Sequence, residues 1–297
     1  MPERTSSKRR RRGVGGAFTV LLLLGIAGYA VVRYDPGDEP TPHCAVVGQS
    51  GNVAFTMETQ QAANAATIEA VGSARGMSER AVTIALATAM QESMLRNLDY
   101  GDRDSLGLFQ QRPSQGWGTE QQVQDPVYAA GQFYDHLVEV PDFESLPLTE
   151  AAQAVQRSAY PDAYAQHEQE AELLAAALTG RRAAALNCVM GDEPVRGRPE
   201  EIAARIDRQF GGGVRANGDG ARITVPTGAA GEPGRGWELA HWAVAHAAEL
   251  GIEQIVYGER VWEADRSTEG WREITDEEDA VAAGPTTELR LATFAPR

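Results

Sequence analysis

Cysteine and positive charge are both scarce in this sequence of 297 residues. Its two cysteines, Cys44 and Cys188, are too few and too far apart for a zinc site. Lysine and arginine total 27 against 42 aspartate and glutamate residues, which gives a formal net charge of −15. Residues 1–12 alone carry +5, so the remainder of the chain carries −20. Because phosphate binding needs positive charge, this excess argues against nucleic acid as a partner.

No internal repeat is visible in the sequence. Hydrophobic residues make up 42% of the chain and charged residues 23%, which are ordinary values for globular protein and argue against disorder of the whole chain. The length leaves room for two domains of about 100–200 residues each.

One stretch without charged residues, Val14–Val32, is 19 residues long. At ~1.5 Å per residue, a helix of this length just covers a ~30 Å hydrocarbon core. The basic block Lys8–Arg12 precedes it and favours a cytoplasmic N-terminus. We therefore expect a single-pass cell-membrane protein: a cytoplasmic tail (1–13), a transmembrane helix in the lipid bilayer (14–32) and an extracellular bulk. A signal peptide cleaved near Gly28-Tyr29-Ala30 is the alternative, and it exports the same bulk.

The exported part divides by composition into four segments. Residues 33–55 are rich in Pro, Gly and Asp and predict a linker, 56–190 are mainly helical in pattern, 191–220 predict a linker with a short helix, and 221–297 predict a small α+β domain. The fold class expected is a mainly α domain plus a small α+β C-terminal domain, after an N-terminal transmembrane helix. Helices are predicted over 57–72, 79–93, 126–140, 148–158, 163–178, 199–210 and 237–250, and strands over 221–225, 255–257, 260–262 and 288–294.

The two cysteines lie just outside the two ends of the central helical segment. In an oxidising compartment, Cys44 and Cys188 could form a disulfide that closes this domain. Two unpaired thiols are the alternative, since pairing cannot be deduced from the sequence alone.

Glu92 is the candidate catalytic residue. It lies near the end of an Ala-rich predicted helix, with Ala85, Thr88 and Ala89 along the same face. A carboxyl beside such small residues can be partly desolvated, which raises its pKa and lets it hold a proton for a glycosidic oxygen near neutral pH. A solvated residue at a helix end is the alternative.

The run Ala89–Thr119 resembles the catalytic core of the lysozyme-like superfamily, in particular the soluble lytic transglycosylases and related actinobacterial wall enzymes. A Glu-Ser pair at a helix end is matched by Glu92 and Ser93, and a Gly-Leu-x-Gln loop by Gly107–Gln110. The resemblance implies a lysozyme-like domain in which Glu92 is the general acid/base and Ser93 and Gln110 line the substrate cleft.

This resemblance covers roughly residues 56–178. Asp125-Pro126 opens a helix, as the family's third segment does, but the late Tyr-Asn motif of the family is absent. The segment 158–164 stands in its place, so Tyr160 or Tyr164 is expected to fill the role of that tyrosine. Phe109 and Trp117 lie in the preceding loop and suit a sugar-binding wall, although core packing is equally consistent with aromatic residues there.

Hydrolytic glycosidases usually need two carboxylates. Asp99, Asp102 and Asp104 follow Glu92, and Asp102 and Asp104 are the candidates for a second carboxylate, although aspartate is also a natural turn residue. Lytic transglycosylases, which the segment resembles, work with one glutamate, so Glu92 alone would suffice. We favour a transglycosylase over a hydrolase, and we expect neither a cofactor nor a metal.

Residues 237–272 resemble a domain at the C-terminus of actinobacterial wall proteins, related to zinc D-Ala-D-Ala peptidases of the hedgehog-like fold. The matching features are a Trp-Ala-x-x-x-Ala helix, a Leu-Gly-Ile turn and a Tyr-Gly-x-Arg-Val-Trp strand, while the zinc-binding motifs have no counterparts. His241 and His246 are five residues apart, about 140° round a helix, which disfavours a shared ion and predicts ordinary surface or edge histidines. This domain is therefore expected to bind or support rather than to catalyse.

Two functions follow from these residues. The first is a membrane-anchored enzyme that cleaves peptidoglycan glycan strands, and the second is a non-catalytic lysozyme-fold protein that binds or assembles the cell wall. A transport role has only the single membrane segment behind it, and one helix cannot form a solute path. No residue identifies a protein partner.

Overall fold

The computed structural model describes residues 41–48, 51–157, 161–191, 193, 195–228, 233–275 and 287–294. The predicted cytoplasmic tail (1–13) and transmembrane helix (14–32) lie outside these residues. Within the described ranges, no helix combines the length and the apolar character that crossing a membrane requires.

Helices dominate the described chain between residues 59 and 178. The predicted helix over 163–178 divides into a 3₁₀ helix, Pro161–His167, and a following α-helix. Two further 3₁₀ helices span Pro113–Gln115 and Ala264–Glu269. The α-helices are α1 (Thr59–Ala74), α2 (Glu79–Ser93), α3 (Glu120–Val123), α4 (Pro126–Leu137), α5 (Leu148–Gln156), α6 (Glu168–Leu178), α7 (Pro199–Gln209) and α8 (Pro233–Leu250).

Helix α2 is the central helix of this region. It begins after Ser78, whose side chain accepts a hydrogen bond from the backbone N–H of Ala81 at 3.3 Å, as an N-cap should. Every residue from Ala81 to Met90 is buried. The many alanines keep this helix thin, so α1, α4, α5 and α6 all pack against it. A helix buried on every side fixes the position of whatever follows its last turn.

A three-stranded antiparallel sheet, in the order β2-β1-β3, joins the two ends of the helical region. Its strands are β1 (His43–Val47), β2 (Val53–Met57) and β3 (Leu186–Val189). Cys44 lies opposite Cys188 in the register of β1 and β3, and the two form a disulfide, which confirms that prediction. The described part of the predicted linker over 33–55 contains strand β1 and the beginning of strand β2.

A six-stranded antiparallel sheet forms the C-terminal part, in the order β4-β5-β9-β6-β7-β8. The chain places its last described strand between β5 and β6, so the predicted terminal strand is central to the sheet. The strands are β4 (Asn217–Asp219), β5 (Arg222–Pro226), β6 (Ile252–Tyr257), β7 (Arg260–Glu263), β8 (Arg272–Glu273) and β9 (Glu288–Thr293).

Helix α8 packs against this sheet on β6 and against the helical region on α1, α6 and β3. Ala240, Val244 and Ala247 of this helix are fully buried. Residues 42–297 cluster into one compact unit. The described chain is thus a mixed α+β fold with antiparallel sheets, while the proposed boundaries at 56, 190 and 221 stay predictions.

Candidate functional site

Glu92 lies in the last turn of α2, just before the helix ends sharply. Met94 and Leu95 follow it in the left-handed region, with φ of 54° and 59°, a conformation that costs a non-glycine residue about 1–2 kcal/mol. Two side chains of α1 hold this turn in place. Gln61 Nε2 donates to the carbonyl of Met94 and Asn64 Nδ2 to that of Leu95, both at 2.7 Å. The backbone that carries Glu92 is therefore fixed by α1.

The Glu92 carboxyl is half-buried and has protein hydrogen-bond donors. Tyr164 OH donates to its Oε1 at 2.7 Å, and the side chain of Gln156 also hydrogen-bonds it. Burial raises the pKa of Glu92 because it disfavours the charged form, and the two hydrogen bonds oppose part of that rise. The net direction is upward, as the small residues around it predicted.

Glu92 opens into a cleft of about 810 Å³. Of the predicted site residues, Asp102, Gln110 and Trp117 line the same cleft as Glu92. Other lining residues were not predicted as site residues: Arg103, Ser105, Gln111, Arg112, Gln115, His136, Glu139, Val140, Pro141, Ala154, Val155, Gln156 and Arg157.

Gln110 reaches the cleft from a loop that folds back on itself. Its side-chain amide donates to the carbonyls of Tyr100 and Gly107, at 3.3 and 3.2 Å. Gly107 has φ of 78°, and a Cβ there would lie 2.2 Å from the carbonyl oxygen of Val123. Only glycine fits this position without a clash, so steric reasons alone account for Gly107 in this loop.

Ser93 and Phe109 are not among the residues that line the cleft. Ser93 is buried, and its hydroxyl donates to the carbonyl of Leu108 at 2.7 Å. Phe109 is fully buried and stacks on Phe133 with ring centroids 4.8 Å apart. Both side chains connect the loop that contains Gln110 to the helices beneath it. Ser93 and Phe109 therefore pack under the cleft.

The two candidate second carboxylates differ in their surroundings. Asp104 accepts hydrogen bonds from the backbone N–H of Ser114 at 2.8 Å and from Arg112 Nε at 2.9 Å. The hydrogen bond from Ser114, with a smaller contribution from Arg112, holds the pKa of Asp104 well below its usual range. Asp102 lines the cleft with its side chain 92% exposed, 3.9 Å from Arg103 Nε. Asp104 is thus held in a turn, while Asp102 is free to face solvent.

The two candidate tyrosines have different outcomes. Tyr164 lies in the 3₁₀ helix Pro161–His167, is fully buried, and reaches Glu92 from behind the cleft. Tyr160 lies outside the described residues. Tyr164 is therefore placed to act on Glu92, rather than to form an open surface for a sugar.

Gln156 is the main residue beside Glu92 that the sequence did not indicate. It is the last residue of α5, and its Nε2 also donates to the carbonyl of Phe109 at 2.8 Å. One side chain thus joins α5, the loop after Glu92 and the carboxyl itself. A glutamine at a helix end carries no local signal, since only the tertiary contact between α2 and α5 brings it to the site.

His241 and His246 are fully buried, so the prediction of surface or edge histidines is wrong. Helix α8 has no open side there, because helices and strands pack around it. His241 Nδ1 donates to the carbonyl of Ala177 at 2.7 Å, and its Nε2 accepts from the N–H of Ala185 at 3.1 Å. Burial lowers the pKa of His241 to about 4. Across the described ranges, no group of three or more His, Cys, Asp or Glu residues could hold a metal ion.

Comparison with known proteins gives one finding. Residues 203–283 match a family model described as VldE, C-terminal domain. A search of curated proteins finds no match to this chain. The matched stretch begins within α7 and includes α8 and β4 to β8, well under half of the chain, and all cleft residues named above precede it.

Proposed function

We propose that this chain cleaves the glycan strands of peptidoglycan, with Glu92 as the general acid/base of a lysozyme-like, lytic-transglycosylase type of site. The observation that carries the proposal is the state of Glu92: a half-buried carboxyl with a raised pKa at an open cleft. Such a group keeps its proton closer to neutral pH than an exposed glutamate does, which is what proton donation to a leaving oxygen requires.

The proposed reaction needs one carboxyl group. Glu92 donates its proton to the glycosidic oxygen as the bond from that oxygen to C1 breaks, with the neighbouring N-acetyl group assisting at C1. The Glu92 carboxylate then takes the proton of the muramic acid 6-hydroxyl, whose oxygen bonds to C1 and closes a 1,6-anhydro ring. The proton returns to Glu92, and no water is consumed.

The surroundings of the other carboxylates support this single-carboxyl scheme over hydrolysis. Asp104 is engaged by Arg112 and the backbone of Ser114, so it is not available as a second catalytic carboxylate. Asp102 is 92% exposed, and a freely solvated side chain lacks the fixed position that a nucleophile or base needs. Tyr164 and Gln156 give Glu92 two donors that stabilise its carboxylate between the two proton transfers.

The proposal includes an extracytoplasmic location, with residues 14–32 as the membrane anchor. Its supports are the uncharged run of 19 residues after a basic block and the Cys44–Cys188 disulfide. Disulfides persist mainly in oxidising compartments outside the cytoplasm.

The test is analysis of the products from isolated peptidoglycan by mass spectrometry, with the full chain in detergent. Wild type should release anhydro-muropeptides, and Glu92→Gln should lower the rate roughly 100- to 10,000-fold, as loss of a general acid does. Glu139→Gln is the matched control, because Glu139 also lines the cleft but is exposed.

Three outcomes separate the alternatives. Release of reducing ends in place of anhydro products would make the enzyme a hydrolase. Equal release by wild type and Glu92→Gln would refute the assignment of Glu92. Wall binding without any release by wild type would favour the non-catalytic wall-binding protein.

A further inference from the structure

His136 and Trp117 form a pair of closely packed, tilted rings on the wall of the cleft that contains Glu92. Their ring centroids are 4.3 Å apart and the ring planes are inclined by 32°. Both side chains are half-buried, so the pair is supported from below and open towards the cleft. The chemistry described for Glu92 uses neither the imidazole nor its contact with Trp117.

The hydrogen bonding of His136 determines which of its ring nitrogens is free. Nδ1 lies 2.8 Å from the carbonyl oxygen of Gln132, and a carbonyl can only accept, so Nδ1 carries the proton of the neutral ring. Nε2 is then the acceptor nitrogen, and no residue of the described ranges gives it a hydrogen bond. The neutral imidazole therefore offers one unused acceptor at the cleft wall.

Both rings are held in position by their surroundings. Helix α4, which carries His136, is anchored by the stacking of Phe133 on Phe109 and by Tyr134 OH, which donates to the carbonyl of Ile68 at 3.1 Å. Trp117 is followed by Gly118, which has a φ of 130°. Glycine adopts this conformation readily, whereas other residues are strained in it. A Cβ at Gly118 would lie 2.8 Å from Tyr128 OH, so this turn packs directly on α4.

We propose that His136 and Trp117 form a sugar-binding subsite of the Glu92 cleft, in which Nε2 accepts a hydrogen bond from a hydroxyl or amide N–H of an N-acetylhexosamine. The side of this ring pair that faces the cleft offers an apolar surface to the C–H face of a sugar, and the imidazole adds a directional acceptor at its edge. This inference rests on the proposed function, since it names the group that positions the glycan relative to Glu92. His136 would then decide which sugars bind, without taking part in proton transfer.

Three substitutions at His136 separate the role of Nε2 from that of the ring and of Nδ1. His136→Phe keeps a ring on Trp117 without either nitrogen. His136→Asn keeps a donor for the carbonyl of Gln132 but has no atom at the Nε2 position, and His136→Gln places an amide there. Binding of a β-1,4-linked N-acetylglucosamine hexamer is measured by calorimetry with the full chain in detergent, in a Glu92→Gln background that leaves the oligomer intact.

We expect the Phe and Asn variants to bind the hexamer about 3- to 10-fold more weakly, the effect of one neutral hydrogen bond, and the Gln variant to recover most of this loss. With Glu92 present, the same Phe and Asn variants should raise KM for peptidoglycan and leave kcat nearly unchanged. Melting temperatures of all variants show whether each one is folded.

The outcomes that overturn this inference differ from those that overturn the proposed function. Suppose that the parent protein binds the hexamer and that wild type cleaves peptidoglycan. An affinity that is unchanged from the parent in all three variants then refutes the role of Nε2. Equal loss in all three refutes it as well, because ring fit rather than the acceptor then sets the affinity. A parent protein that binds no hexamer, together with a wild type that cleaves no peptidoglycan, removes the proposed function and this inference with it.

Discussion

The hydrogen bond from Tyr164 to Glu92 gives the most direct test of how the protein sets the proton affinity of its candidate acid. Tyr164 OH donates to Glu92 Oε1 at 2.7 Å, and a donor stabilises the carboxylate more than the neutral acid. Burial of Glu92 acts in the opposite direction and dominates. Tyr164→Phe removes the hydroxyl and keeps the ring that fills the core, so it should raise the pKa of Glu92 further.

The size of this change follows from the hydrogen bond. A bond to a charged acceptor contributes about 1.5–3 kcal/mol, and 1.36 kcal/mol corresponds to one pH unit, so complete loss would raise the pKa by about 1–2 pH units. Glu92 is open to the cleft and the Gln156 bond remains, so water and Gln156 offset part of the loss. We therefore expect the lower end, about one pH unit.

The assay is a carbon-13 NMR titration of the protein labelled at its glutamate carboxyls, in which the resonance missing from Glu92→Gln identifies Glu92. In the kinetics, activity that requires protonated Glu92 is lost as pH rises through its pKa, so the alkaline limb of the rate profile should move upward with Tyr164→Phe. Tyr134→Phe is the control, because Tyr134 OH donates to the carbonyl of Ile68 rather than to Glu92. An unchanged or lowered pKa of Glu92 in Tyr164→Phe would refute the reasoning.

The remaining predictions concern stability. Replacing Cys44 and Cys188 by serine opens a disulfide across a sequence separation of 144 residues and should lower the free energy of unfolding by about 2–5 kcal/mol in urea titrations; an unchanged midpoint contradicts this. Burial and the neighbouring Glu238 raise the pKa of Glu69, so its contribution to stability is complete below its ordinary value of 4.5 and declines as pH rises through the folded value. The glutamine of Glu69→Gln has no carboxyl group to ionise as pH rises. The difference in melting temperature between this variant and wild type should therefore increase from pH 4.5 to 8. The exposed Glu144→Gln should show no such trend, and a falling difference for Glu69→Gln contradicts the assignment.

Elements with strong local signals could be predicted closely from the sequence. Helix α2 begins after Ser78 and ends at Ser93, as its cap and its Ala-rich pattern indicate. The predicted helix over 237–250 ends before Gly251, although it begins four residues earlier than predicted, at Pro233. These helix ends depend on capping interactions between residues a few positions apart, so they can be predicted from the local sequence.

The small sheet could not be predicted, because its strands gain stability only from distant partners. Strand β1 pairs with β3, which follows more than 130 residues later, and neither strand alternates over enough residues to indicate a sheet. The Gly-rich sequence between β1 and β2 is typical of a linker and equally of a turn. Only the pairing of Cys44 with Cys188 linked these segments in advance, since both cysteines were expected to meet.

The motif resemblance that predicted Glu92 and Gln110 as site residues did not separate residues that line the cleft from residues packed beneath it. Adjacent residues of a helix point about 100° apart, so Glu92 can face the cleft while Ser93 faces the buried loop. The same limit applies to His136 and Gln156, which lie on other helices. Their positions depend on how α4 and α5 pack, and no local pattern contains that information.

Helix α1 explains how the C-terminal part can matter to a cleft it does not line. At its start, Gln61 and Asn64 donate to the backbone turn behind Glu92. Two turns further along, Glu69 is buried and hydrogen-bonds Glu238 of α8, the helix that the C-terminal part packs against α1. A change in α8 therefore acts on α1, the same helix that holds the backbone turn after Glu92 in place. For this reason, substitutions at Glu238 should affect the position of Glu92 through α1, even though the two carboxyls share no contact.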